Sequence, residues 1–156
     1  MQTHSLATSQ RLPFSAYEDV PDRALAPARL RILIVNEDFR SADSIKYALQ
    51  ELGCFTTLTA CSARKALQAA VDFAPSLALL DLELPDMSGF ELARKLRAHP
   101  NSGVRRTPLL AIAEREELGH TELTRAAGFI GCLTKPVQPV ELSRILWKLR
   151  RWSSQV

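Results

Sequence analysis

A chain of 156 residues, 46% hydrophobic and 24% charged, can bury the core of one globular domain and is too short for two of ordinary size. Its net charge of +3, with no Lys/Arg run or basic stripe interleaved with aromatics, points away from nucleic acid as a partner. Cys54, Cys61 and Cys132 show neither disulfide-framework nor zinc spacing, no apolar run reaches membrane-spanning length, and the N-terminus lacks a signal-peptide core, so a cytoplasmic location is the default.

Residues 1–29 contain Pro13, Pro21 and Pro27 and hold no sustained period; they read as a flexible tail, with at most a short helix near residues 16–20. The run Ile32-Leu33-Ile34-Val35 predicts a first strand, which ends abruptly in Asn36-Glu37-Asp38. Ile45, Ala48, Leu49 and Leu52 then recur at helical spacing and stop at Gly53. CFTTLTA (54–60) is β-prone, and SARKALQAAVDF (62–73) is helical with Ser62 as its N-cap and Pro75 as its breaker. SLALLDL (76–82) lacks alternation, the mark of a strand covered on both faces. A helix over MSGFELARKLRAH, a strand over TPLLAIA, a helix over REELGHTELTRAAG, a strand over FIGCLT and a helix over PVELSRILWKLRRW complete the series. Five strands alternating with five helices over residues 30–152 predict an α/β domain with a parallel sheet and helices on both faces, followed by a short tail at 153–156.

In such a sheet the ligand crevice lies beyond the carboxyl ends of the strands. Asn36 and Glu37, Asp81, Ala113 and Lys135 fall there by position alone. Two carboxylates and an ammonium converging in one crevice suit phosphoryl chemistry, because Mg²⁺ takes oxygen ligands and keeps several waters while Lys pairs with phosphoryl oxygens. Asp38 is better placed to cap the following helix than to bind metal, and Glu83 and Asp86 read as charges on the rim. His4, His99 and His120 lie in tail or surface settings unsuited to a catalytic or relay role.

The segments RILIVNED, LALLDLELPDMSGFEL, TPLLAIA and GCLTKPV resemble, in that order and spacing, the receiver domain of bacterial two-component response regulators. The resemblance implies a flavodoxin-like (βα)5 fold with strand order 2-1-3-4-5. It implies Asp81 as phosphoacceptor for a histidine kinase or histidine phosphotransfer protein in a phosphorelay. Lys135, before a cis peptide at Pro136, would be the phosphoryl clamp, and Mg²⁺ would be held by Glu37, Asp81 and the Glu83 backbone carbonyl, with Asn36 acting through water. Three positions depart from the family pattern. Asn36 stands where a first acidic residue is usual, Ala113 where Thr or Ser is usual, and Cys132 where an aromatic switch residue is common. A one-residue slip pairing Glu37 with Asp38 would restore two acids, but the spacing from Val35 to the 49–53 helix end fits without it.

What the resemblance implies is therefore an atypical, single-domain receiver that signals by protein contact. The alternative is a pseudo-receiver, a phosphorylation-independent interaction module favoured by Asn36 and Ala113 and opposed by Asp81 and Lys135. A haloacid-dehalogenase-like hydrolase is rejected, because Glu83 is followed by Leu84-Pro85 where that chemistry needs a hydroxyl residue, and a cobalamin site lacks its loop histidine. On the last helix, turning Leu142, Ile145, Leu146 and Leu149 inward sets Trp147 outward beside Arg144 and Arg151, a candidate partner surface. A Trp lying flat on its own domain is the alternative there. The family's habit of pairing through its last strand and last helices makes a homodimer a further expectation.

Overall fold

A computed structural model describes residues 30–53, 55–114 and 121–154. Its elements are β1 (Leu30–Val35), α1 (Phe39–Leu52), β2 (Phe55–Ala60), α2 (Ala63–Asp72), β3 (Leu77–Asp81), α3 (Gly89–Arg97), α4 (Ser102–Arg105), β4 (Leu109–Ala113), α5 (Thr121–Ala126), β5 (Gly131–Thr134) and α6 (Pro139–Ser154). The strands form one parallel sheet in the order β2-β1-β3-β4-β5, as the resemblance implied.

The uninterrupted apolar strands follow from burial on both faces. Successive side chains alternate across a strand. Leu33, Val35, Ala78 and Leu80 therefore join Ala66, Leu92 and Leu96 beneath α2 and α3. Ile32, Ile34, Leu77 and Leu79 join Ile45, Leu49, Leu142 and Leu146 beneath α1 and α6. Each fully buried Leu or Ile contributes roughly 1.5–3 kcal/mol of transfer free energy, which outweighs local propensity and holds the strands in register.

The helix starts are chemical as well as periodic. Asp38 caps α1 through the Arg40 N–H, and Ser62 caps α2 through the Lys65 N–H. Gly53 ends α1 at φ 68°, a conformation that glycine adopts without penalty. Three boundaries differ from the sequence expectation. The helix expected from Met87 begins at Gly89, because Ser88 supplies the cap to the Glu91 N–H. The strand expected from Phe129 begins at Gly131, since Phe129 is drawn into an edge-on contact with Phe90. The last helix runs on to Ser154, past the boundary at Trp152. The turn α4 was not foreseen; Asn101 builds it by accepting from the Gly103 N–H at 2.8 Å. Residues 1–29 and the first part of the expected helix at 115–128 lie outside the described residues.

One cation organises the strand entrances. Arg97 donates to the carbonyls of Arg105 and Thr107 at 2.8 and 2.7 Å, and to that of Gly128 at 2.7 Å. Burial lowers its pKa from the ordinary arginine value, and three carbonyl dipoles take the place of lost water. Gly128 sits at φ 98°, with the guanidinium arm where a Cβ would lie.

Candidate functional site

The carboxyl ends of β1, β3, β4 and β5 bring the sequence-predicted residues to one rim. Asp81 closes β3 with 3% of its surface exposed. Both carboxylate oxygens are engaged: Oδ1 accepts the Glu83 N–H at 2.8 Å, and Oδ2 lies 2.8 Å from the Lys135 ammonium. Lys135 follows β5, its N–H donates to the Ala113 carbonyl at 3.0 Å, and its peptide bond to Pro136 is cis. Burial works against the charged form of Lys135, but the Asp81 bond and the charges of Asp81, Glu114 and Glu83 outweigh it and raise its pKa above the ordinary lysine value. That contribution to stability is present below the unfolded-state pKa and is lost as pH rises through the folded one.

Backbone contact fixes Asp81 from the other side. A Cβ on Gly89 would lie 2.5 Å from the Asp81 carbonyl oxygen and 2.7 Å from the Leu82 Cα, so α3 begins directly against the main chain of Asp81. The Gly89 N–H donates to the Leu82 carbonyl at 2.9 Å. Asp86 is more than a rim charge. Although exposed, its carboxylate accepts the Ala63 and Arg64 N–H groups at 2.9 Å each and ties the loop after Asp81 to the start of α2. Those two bonds hold its pKa below the ordinary aspartate value, so the stability they add is present above the unfolded-state pKa and is lost as pH falls through the folded one.

The first-strand lip separates into three roles. Asn36 is 2% exposed, its side-chain oxygen accepts the Asp38 N–H at 2.9 Å, and its amide Nδ2 is buried without a partner. It lines a cavity of about 90 Å³ with Ser41, Ser44, Ile45, Ile112 and Lys135. Asp38 is committed to α1, accepting from the Arg40 N–H and the Ser41 hydroxyl, and these bonds lower its pKa. Glu37 is exposed at the rim. The Asp38 carboxylate, which a slipped pairing would set beside Glu37 as a ligand, is thus engaged by α1.

The oxygen donors suit a hard cation in part. Glu37 and Asp81 could supply carboxylates, and Glu83 a carbonyl, to Mg²⁺ that keeps most of its water. The Asn36 oxygen already accepts a hydrogen bond and its Nδ2 is a donor, so the lip offers one carboxylate where two would bind more strongly. No cluster of three His, Cys, Asp or Glu side chains forms among the described residues.

At the switch positions, Ala113 is 1% exposed and presents only a methyl group. Cys132 is half-buried, with its Sγ 3.7 Å from the Leu133 carbonyl, and packs with the core beneath α2 and α3. On α6, Leu142 and Leu146 are buried as expected, and Arg144 is exposed. Trp147 is half-buried, between the outward and flat alternatives, and the Arg151 side chain lies outside the described residues. Ile145, Lys148 and Leu149 line a shallow cavity of about 230 Å³ with Leu110, Ile130 and Gly131.

Glu114 was not singled out in the sequence. It follows Ala113 directly, and its Oε1 lies 3.8 Å from the Lys135 ammonium. The available signal was its position, one residue past a strand that pairs in parallel with the strand leading to Lys135. Among the described residues, no helix is long and apolar enough to cross a membrane.

Comparison with known proteins gives a consistent result. Residues 32–146 match the family model of the response regulator receiver domain. The chain is 34% identical over 119 residues to a 14.6 kDa protein of Leptolyngbya boryana, covering 76% of this chain and 88% of that one. It is 35% identical over 124 residues to the DNA-binding response regulator MtrA of Mycobacterium tuberculosis, covering 79% of this chain and 52% of MtrA, so it spans about half the length of that relative. The chemotaxis response regulator CheY4 of Vibrio cholerae superimposes with a TM-score of 0.69 at 26% identity, covering 77% of this chain and 98% of that one. The receiver domain of the sensor histidine kinase PA1611 of Pseudomonas aeruginosa, solved with a magnesium ion coordinated in its active site cleft, gives a TM-score of 0.69 at 28% identity, with 79% and 98% covered.

Proposed function

Because this chain belongs to the response regulator receiver domain family of two-component signalling, we propose that it accepts a phosphoryl group on Asp81 from a histidine kinase or histidine phosphotransfer protein. The observation that carries the reading is the Asp81–Lys135 pair, a buried carboxylate at the end of β3 held 2.8 Å from an ammonium on the neighbouring rim. In the transfer, an Asp81 oxygen forms a bond to phosphorus as the donor's N–P bond breaks and its electron pair returns to the imidazole. Lys135 then serves the phosphoryl oxygens instead of Asp81 Oδ2. Glu37, Asp81 and the Glu83 carbonyl would hold Mg²⁺, which when bound neutralises charge between an anionic nucleophile and an anionic phosphoryl group. The domain is a phosphoacceptor rather than an enzyme with turnover on other molecules.

The relay differs from the capture. The Ala113 methyl cannot donate a hydrogen bond to an arriving phosphoryl group, and Cys132 is too small for the swing of an aromatic side chain. The output is therefore delivered by protein contact, with the α6 surface around Trp147 and Arg144 and the β5 edge as the surfaces for a partner or for a second copy. The residues at 30–152 form the receiver, acting in the cytoplasm, and neither nucleic acid nor membrane is a direct partner of this domain.

The test is incubation of the full chain with Mg²⁺ and either acetyl phosphate or a phosphorylated histidine phosphotransfer protein, beside Asp81→Asn. Wild type should take up label and Asp81→Asn should take up none. Absence of Asp81-dependent label would leave the pseudo-receiver reading, a docking module that works without phosphoryl transfer. That second reading draws on Ala113 and on the buried, unpartnered Asn36 amide.

A further inference from the structure

We infer that Glu114 is a positioning residue that slows phosphorylation of Asp81 by competing for Lys135 and by placing negative charge against incoming anionic donors. The inference rests on the phosphoacceptor reading and extends it to the rate of the step.

Two carboxylates share one ammonium here. Asp81 Oδ2 holds Lys135 at 2.8 Å, and Glu114 Oε1 stands off at 3.8 Å on the solvent side, with 59% of its side chain exposed against 5% for Asp81. In the resting domain the outer contact is weak, as solvent-exposed ion pairs are. Its importance rises when phosphorus arrives. An Asp81 oxygen forms the new O–P bond, the donor's P–O bond breaks, and the electron pair leaves with acetate when acetyl phosphate is the donor; no proton need move. The group now bound carries up to two negative charges. Lys135 must turn to it, while Glu114 still draws on the same ammonium. Glu114 Oε1 lies no farther from Asp81 Oδ2 than the two contacts laid end to end, so it also repels the group directly. Glu83 adds a third negative charge near Lys135. Of these carboxylates, Glu114 has no place in the proposed metal set, so it can be neutralised without touching the cation's ligands.

The experiment compares initial rates of Asp81 labelling by acetyl phosphate, with saturating Mg²⁺, for wild type, Glu114→Gln and Asp81→Asn across a range of ionic strength. Removing one charge about 7 Å from a dianion in a solvent-facing site should speed labelling roughly three- to tenfold at low salt. The gain should shrink towards none near 1 M salt, where screening acts over about 3 Å. A merely structural effect would not follow ionic strength. Equal rates for Glu114→Gln and wild type at low salt, or a gain unchanged by salt, would overturn the inference and leave the phosphoacceptor reading standing. No Asp81-dependent label on wild type or on Glu114→Gln would overturn both.

Discussion

The ends of β3 and β5 and the ends of β1 and β4 meet at one rim yet are built differently. At β3 and β5 nearly every group is fixed from more than one direction. Asp81 is held by Lys135, the Glu83 N–H and the close approach of Gly89, while the loop beyond it is tied to α2 through Asp86. At β1 and β4 polar partners are missing: Asn36 carries an orphaned amide and Ala113 a bare methyl. Under the proposed function, capturing a phosphoryl group and reporting its presence would be separable tasks. The first needs a nucleophile, a cation and rigid geometry. The second needs groups that change partners when charge arrives, which the Ala113 methyl does not provide.

The largest effect is expected at the ends of β3 and β5. Lys135→Ala removes a charge-assisted hydrogen bond and leaves Asp81 buried without its partner. At about 1.5–3 kcal/mol for a bond to a charged group, Asp81 labelling should fall roughly 10- to 100-fold in an initial-rate assay. Labelling that survived at the wild-type rate would show that the clamp is dispensable. Gly89→Ala tests the backbone contact. Its Cβ would sit 2.5 Å from the Asp81 carbonyl oxygen, so α3 or Asp81 must shift, at a cost of about 1–3 kcal/mol seen as a lower midpoint in urea unfolding. An unchanged midpoint would mean that the loop yields freely.

The smallest effect is expected at the β1 lip. Asn36→Asp adds a second carboxylate to the lip, where attraction to a divalent cation is opposed by the desolvation of a nearly buried group. A net gain of about 1 kcal/mol would tighten Mg²⁺ binding roughly fivefold by calorimetric titration. The same variant should be less stable than wild type when metal is withheld, because the new buried charge then has only Lys135, already paired with Asp81, to balance it. Equal Mg²⁺ affinity would show that Asn36 is not what limits the site.

The sheet and its helices were legible because four strands contain short apolar runs, β2 is rich in β-branched threonine, and α1, α2 and α3 carry caps in the neighbouring residues. Asp38 and Ser62 could be read as caps for the same reason, since the groups they satisfy lie within three residues. The turn α4 escaped because four residues cannot display a helical period. The site was half legible. Asp81 and Lys135 follow from strand ends, and the departures at Asn36, Ala113 and Cys132 follow from the family resemblance. Asp86 and Glu114 were not, because each finds its partner across the chain: Asp86 on α2, and Glu114 on a lysine that only strand pairing brings close. For Trp147 the sequence left an outward and a flat setting open, and the half-buried position lies between them, since helical periodicity sorts a helix into faces without fixing how far a large ring is covered.

Arg97 has a consequence for how the domain opens. One guanidinium joins carbonyls at Arg105, Thr107 and Gly128, thereby tying the approach to β4 to the approach to β5. Neither segment can fray alone without taking carbonyl partners from a half-buried cation. Those two entrances should therefore exchange their backbone amide hydrogens as a single cooperative unit, on the opposite side of the sheet from the rim where the phosphoryl chemistry is proposed to occur.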